Sequence, residues 1–261
     1  MPTKKSPSKA VAKSAPAQKS GIGGFFERAL SWTFGPKDGM GVFFKRVFAL
    51  MFGALLITAA SSFVTLQYGL PLVFNSDFTN YSGLFYIVMF GGLFLSIFAQ
   101  VRAFRMKPAM GGLLLVLYAI AMGFVISPLV AFSLGANPAS VLQAFILTAI
   151  MFACMALFGY RTTKNLGFLG AFLFIGMIGL ILVGMASFIW PLGSTFSTIV
   201  CAVGVLIFAL FTAYDMQFLK KAYAAGGDDM VKNQLAVLGA LHLYISFIAM
   251  FQYILSLLNR R

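Results

Sequence analysis

The sequence predicts an all-α integral membrane protein with seven transmembrane helices, and three features predict it. Hydrophobic residues make up 61% of the 261-residue chain and charged residues 10%. The apolar runs are about 20 residues long, which matches a hydrocarbon core of about 30 Å at 1.5 Å per helical residue. Lysine and arginine, 19 against 6 acidic residues, gather in an N-terminal segment and in alternate loops. That distribution is membrane topology rather than a nucleic-acid footprint, so the expected surroundings are a lipid bilayer and no nucleic-acid partner is expected.

Residues 1–24 are rich in Lys, Ser, Ala and Pro and contain no large apolar residue beyond Met1, Val11 and Ile22. Such a segment buries too little surface to fold alone and reads as a disordered cytosolic tail. It has no apolar core of the kind a secretory signal needs. Lys4, Lys5, Lys9, Lys13 and Lys19 also suit it to contact anionic lipid or to serve as an unstructured handle for an ATP-driven protease. In residues 25–46 apolar side chains mix with Glu27, Arg28, Lys37 and Asp38 around Gly35-Pro36, which reads as an interfacial segment. Residues 47–261 form the membrane domain.

Seven spans are expected, at 47–68, 83–101, 110–132, 139–160, 168–190, 194–219 and 235–258. Lys45 and Arg46 precede the first, Arg102, Arg105 and Lys107 fill the second loop, Arg161 and Lys164 the fourth, and Lys220, Lys221 and Lys232 the sixth. The first, third and fifth loops lack Lys and Arg altogether. The positive-inside rule therefore places the N-terminus in the cytosol. Arg260 and Arg261 disagree with a C-terminus on the far side, which leaves a full seventh crossing and a re-entrant segment as alternatives. Gly91-Gly92, Gly111-Gly112, Gly176 with Gly179, and the run from Ala59 to Ser62 are expected at helix contacts, where small residues permit close approach. Ser127-Pro128 is expected to kink or end the third span.

Apart from tyrosines and cysteines, the ionisable side chains inside these spans are Asp215 and His242. Ionisable groups in hydrocarbon are costly, so they face a protein interior or a water-filled cavity and mark an ion or proton path. Counted at 1.5 Å per residue, Asp215 lies about 7 Å inward from Lys220, and His242 about 9 Å inward from a helix starting near Ala236. The two are expected at similar depth, where they either form a charge-assisted contact or leave His242 satisfying a carbonyl or hydroxyl between helices. Tyr214 and Tyr244 are close enough in pattern to hydrogen-bond Asp215.

The runs YAIAMGFVISPLVAF (118–132), FILTAIMFACMALFGYRTTKNLGFLGAFLFIGMIGLI (145–181), AYDMQ (213–217) and ALHLYISFIAMFQYIL (240–255) resemble the Bax inhibitor-1 family, also called the transmembrane BAX-inhibitor motif family. The resemblance implies a bundle in which six helices surround a central seventh, a calcium leak regulated by pH, and, in bacterial relatives, association with a membrane-anchored AAA protease. It also implies a pair of aspartates, one in a YDxQ motif and one in LYLDFIN. Asp215 matches the first, and Ser246 occupies the second position. Two carboxylates in contact share a proton and titrate as a coupled unit. With Ser246 in place of one, that coupling is lost, and Asp215 is expected to accept a hydrogen bond from the Ser246 hydroxyl. Asn165 is a second departure, at a position acidic in many relatives.

Other chemistries fit poorly. A transition-metal site needs more than the single His242, and no HExxH motif is present. An intramembrane aspartyl protease needs two carboxylates in the spans. Asp228 and Asp229, beside Gly226 and Gly227, are a weak cation-attracting mouth, short of the six to eight oxygens a hard cation takes. Cys154 and Cys201 lack a paired spacing and read as packing residues. The expectation is therefore a protein without cofactor, not an enzyme, in the bacterial inner membrane.

Overall fold

The computed structural model describes residues 39–75, 80–102, 106–189 and 193–260. The expected tail, residues 1–24, and most of the interfacial segment lie outside them. Among the described residues the chain forms eight helices. They are α1 (Met40–Tyr68), the short α2 (Leu70–Val73), α3 (Gly83–Arg102), α4 (Pro108–Ala136), α5 (Ala139–Arg161), α6 (Gly167–Ile189), α7 (Ser194–Ala224) and α8 (Asp229–Leu258). Seven are long and apolar enough to cross a membrane.

Hydropathy fades before the helices do. α7 continues past Lys220 and Lys221 to Ala224 because AYDMQFLKKAYA consists largely of good helix formers, and it stops where Gly226 and Gly227 adopt φ of 83° and 139°. α8 begins at Asp229, so the expected charged loop shrinks to the turn between the two helices. Asp228 and Asp229 are exposed in that turn and in the first turn of α8, where the positive end of the helix dipole favours acidic residues. α1 likewise starts at Met40, and Lys45 and Arg46 are helical.

The most buried helix is α8. Within its apolar window 83% of residues are buried, against 44% for α7 and 6% for α6. α1, α4, α5 and α7 form its wall, while α3 packs mainly on α4 and α6 on α7. α8 crosses completely. Asn259 bonds Ser133 at the end of α4, and Arg260 bonds Ser194 and Ser197 at the start of α7, so the chain ends beside the loops that lack Lys and Arg. A re-entrant segment does not fit this placement, and the Arg260 guanidinium donates to two neutral oxygens in the first turn of α7.

Pro128 neither ends nor interrupts α4. Lacking an N–H, it leaves the carbonyl of Phe124 without its helical donor. The Ser127 hydroxyl donates to that carbonyl at 2.8 Å, which keeps the group satisfied in the membrane. The closest backbone approaches use glycines that the sequence pattern did not single out. A Cβ on Gly159 of α5 would lie 2.1 Å from the Ala213 carbonyl oxygen of α7, and one on Gly123 of α4 would lie 2.6 Å from the Thr58 carbonyl of α1. Gly91 and Gly179, by contrast, face open space.

Gly159→Ala should therefore force α5 and α7 apart and lower stability by about 1–3 kcal/mol. Gly179→Ala should not. Thermal unfolding of the two variants in the same detergent checks the contrast.

Candidate functional site

Asp215 lies on α7 two residues beyond Ala213, the point where Gly159 lets α5 press against the α7 backbone. Asp215 itself is 5% exposed. His242 projects from α8 between Leu241 and Leu243, which are 4% and 0% exposed. Its Nδ1 stands 3.4 Å from Asp215 Oδ1, a long contact that becomes charge-assisted when the imidazole is protonated. The carboxylate side chain is 7% exposed and the imidazole 27%, so the histidine is the more accessible member of the pair.

The other candidates are placed differently. Ser246 is buried one turn along α8 at 3% exposure and makes no hydrogen bond to Asp215. Tyr244 turns to α1, where its hydroxyl lies 2.6 Å from Thr58 Oγ1. Thr58 Oγ1 is also within reach of the carbonyls of Ala54 (2.9 Å) and Ala119 (3.1 Å), so it donates to a carbonyl and accepts from Tyr244. Tyr214 leans its ring on α6 at Gly170, where a Cβ would come within 2.7 Å of it. Neither tyrosine bonds Asp215. Adjacent numbering on a helix points successive side chains about 100° apart, which carries Tyr214 away from Asp215.

Basic side chains near the pair are committed elsewhere. Lys220 Nζ donates to the Tyr160 carbonyl at 2.8 Å, and Lys221 Nζ donates to Asn165 Oδ1 at 2.9 Å and to Gln217 Oε1 at 3.0 Å. Arg46, read from sequence as lying ahead of the first span, is 6% exposed and donates from Nη1 to Asn233 Oδ1 at 2.8 Å. Among the described residues no Lys or Arg forms an ion pair with Asp215, and no three His, Cys, Asp or Glu side chains assemble as metal ligands.

Gln217 is the residue that sequence reading passed over, although it closes the AYDMQ motif. Its Nε2 donates to the Lys164 carbonyl at 2.7 Å, and its Oε1 accepts from the Leu166 amide at 2.9 Å. One buried amide thus fastens the α5–α6 loop to α7 two residues from Asp215. Asn165, in that loop, accepts from Lys221 and from the Gly167 amide at 3.2 Å, both of which an oxygen acceptor satisfies without a charge.

The sequence profile described as inhibitor of apoptosis-promoting Bax1 matches residues 40–261. The chain belongs to the Bax inhibitor-1 family. A Caulobacter vibrioides protein of uncharacterized role is 34% identical over 213 residues, 79% of this chain and 82% of its own length. An uncharacterized Rickettsia prowazekii protein is 28% identical over 210 residues, 80% and 85% of the two chains. The Escherichia coli inner membrane protein YbhL is 35% identical over 125 residues, 47% of this chain and 53% of its own. Within this Bax inhibitor-1 chain, the side chain in contact with Asp215 is His242.

Gln217→Ala should free the α5–α6 loop without unfolding the bundle. Losing one net hydrogen bond of about 1 kcal/mol predicts roughly fivefold faster amide exchange at Leu166. Hydrogen–deuterium exchange read by mass spectrometry measures it.

Proposed function

We propose that this protein is a pH-sensitive cation leak, with Asp215 as the ion-binding and gating carboxylate and His242 as its proton-responsive partner. The observation that carries the reading is the contact between these two side chains across the α7–α8 interface, inside a span of otherwise apolar helices. Calcium is the cation the family resemblance suggests. The name of the Escherichia coli relative, an inner membrane protein, favours the same membrane here. The positive-inside rule assigns the end bearing Lys45, Lys220 and Lys221 to the cytosol.

The sign of the pH response follows from charge. Histidine ordinarily changes state between about pH 5 and 8. When the imidazole is protonated, it neutralises an ionised Asp215 and holds α7 to α8. When it is neutral, the carboxylate is left as an uncompensated negative charge that attracts a cation. Leak should therefore fall as pH drops through the histidine's titration. Ser246 sits beside this pair as a neutral wall residue, which removes the carboxylate–carboxylate coupling without removing proton sensitivity.

A second reading, that the chain conducts nothing and modulates a membrane-anchored AAA protease, draws on the lysine-rich residues 1–24 as a handle. Deleting those residues should leave flux intact if the leak reading holds.

Calcium flux into proteoliposomes between about pH 5 and 8 checks the proposal. Asp215→Asn should reduce flux about tenfold or more, the scale of losing an interaction with a charged group. His242→Gln should leave a leak whose rate no longer follows pH. Absence of flux in the natural protein at every pH would sink the leak reading.

A further inference from the structure

α1 and α5 meet at the basic end of the bundle, where the Phe44 and Tyr160 rings stack edge to face at 5.3 Å. Beyond that ring pair a cleft runs between the two helices with α8 as its floor. It has two chambers, of about 550 Å³ toward the basic end and about 500 Å³ toward the opposite end. Phe145 and Phe247, in edge contact at 5.8 Å, line both chambers and divide them. The rim is open to the bilayer: Phe52, Phe63, Leu142 and Leu157 are 57–62% exposed. Chambers of this size lie within the usual range of small-molecule sites, about 300–1,000 Å³.

A cleft lined by apolar side chains would by itself say only that hydrocarbon fills it. Ser62, which lines the chamber at the non-basic end, says more. It is 6% exposed, and its hydroxyl has no hydrogen-bond partner. Hydroxyls in these helices normally return to the carbonyl one turn back, as Thr58 (2.9 Å), Thr65 (2.8 Å), Thr148 (2.7 Å) and Thr212 (3.0 Å) do. Ser62 does not, so a buried donor is left wanting an acceptor at a cost of about 1–3 kcal/mol.

Its depth identifies the acceptor. Ser62 lies eight residues beyond Ala54, the midpoint of α1 (Met40–Tyr68). At 1.5 Å per residue that is about 12 Å from the middle of the helix. Half of a hydrocarbon core of about 30 Å is about 15 Å, so with the core centred on α1 the hydroxyl stands near the boundary where phospholipid ester carbonyls begin. Lys45, nine residues to the other side of Ala54, marks the opposite boundary symmetrically.

We propose that the chamber between α1 and α5 binds one acyl chain of a phospholipid, whose ester carbonyl accepts the Ser62 hydroxyl. The lipid replaces the missing protein wall and covers the Phe247 face of α8. Phe247 follows Ser246, and Met216, next to Asp215, lines the neighbouring chamber, so the cleft borders both helices of the Asp215–His242 pair. The assignment of the lipid site does not depend on the leak.

Native mass spectrometry of the protein released from nanodiscs tests it, using a palmitoyl-oleoyl phosphatidylglycerol diester and its diether analogue, which has no carbonyls. The natural protein should retain the diester about fivefold better than the diether, the value of one hydrogen bond of about 1 kcal/mol. Ser62→Ala should erase that preference, and Ala59→Trp, which fills the chamber, should reduce retention of both lipids. Equal retention of diester and diether by the natural protein, a preference that survives Ser62→Ala, or replacement of lipid by detergent would each overturn the assignment.

Discussion

A carboxylate inside a membrane bundle must be compensated, and the Asp215–His242 contact is the constraint around which the helices are arranged. An ionisable group at this depth is tolerated when it is walled from lipid and given a partner. The wall comes from α8, the most buried span, and from α7 held tight by α5 through Gly159. The partner comes from α8 itself, at 3.4 Å. Were α7 to drift from α8 by even a few ångströms, the carboxylate would face either hydrocarbon or water without its imidazole. Interhelical packing and site chemistry are therefore a single property of the α7–α8 pair.

The ends of the bundle differ in how they are secured. At the basic end, long polar side chains reach carbonyls and amides of loops: Gln234 bonds the Met106 carbonyl at 2.7 Å, Arg46 bonds Asn233, and Gln217 and Lys221 hold the α5–α6 loop. Gln234, Gln217 and Lys221 make neutral or exposed contacts, individually modest, whereas the Arg46 guanidinium is buried. Gln217 matters because it lies two residues from Asp215 on the same helix, so a displacement of the loop is felt at the carboxylate. At the other end Arg260 donates to oxygens in the first turn of α7, and Asn259 donates to the Ser133 hydroxyl near the end of α4. Between the two ends lies the α1–α5 cleft, which Phe247, the residue after Ser246, lines from α8.

The fold class and the identities of the spans were legible because hydropathy over about 20 residues is a strong signal in lipid. Span ends were not, since helix propensity carries α7 through Lys220 to Ala224 and α8 back to Asp229, beyond where hydropathy fades. Asp215 and His242 stood out as charges in apolar runs, and turn counting put them at comparable depth. Tyr214 and Tyr244 share motifs with the pair, yet their side chains face α6 and α1, because neighbours on one helix diverge by about 100° per residue; Ser246, one turn from His242, is buried without reaching Asp215. Gly123 and Gly159 gave no pairwise GxxxG pattern, and only the crossing of helices reveals why each must lack a Cβ. Ser127 looked like part of a helix break, whereas its hydroxyl repairs the carbonyl that Pro128 strands.

The protein contains one histidine, which makes the central contact directly observable. Nitrogen NMR of the histidine-labelled protein in nanodiscs resolves the Nδ1 and Nε2 signals of His242 without assignment. The contact predicts that Asp215→Asn moves the imidazole nitrogen resonances, because loss of the carboxylate changes the ring's protonation or tautomer, and that Ser246→Ala moves neither. Identical imidazole spectra for the natural protein and Asp215→Asn would contradict the contact and remove the foundation of the site.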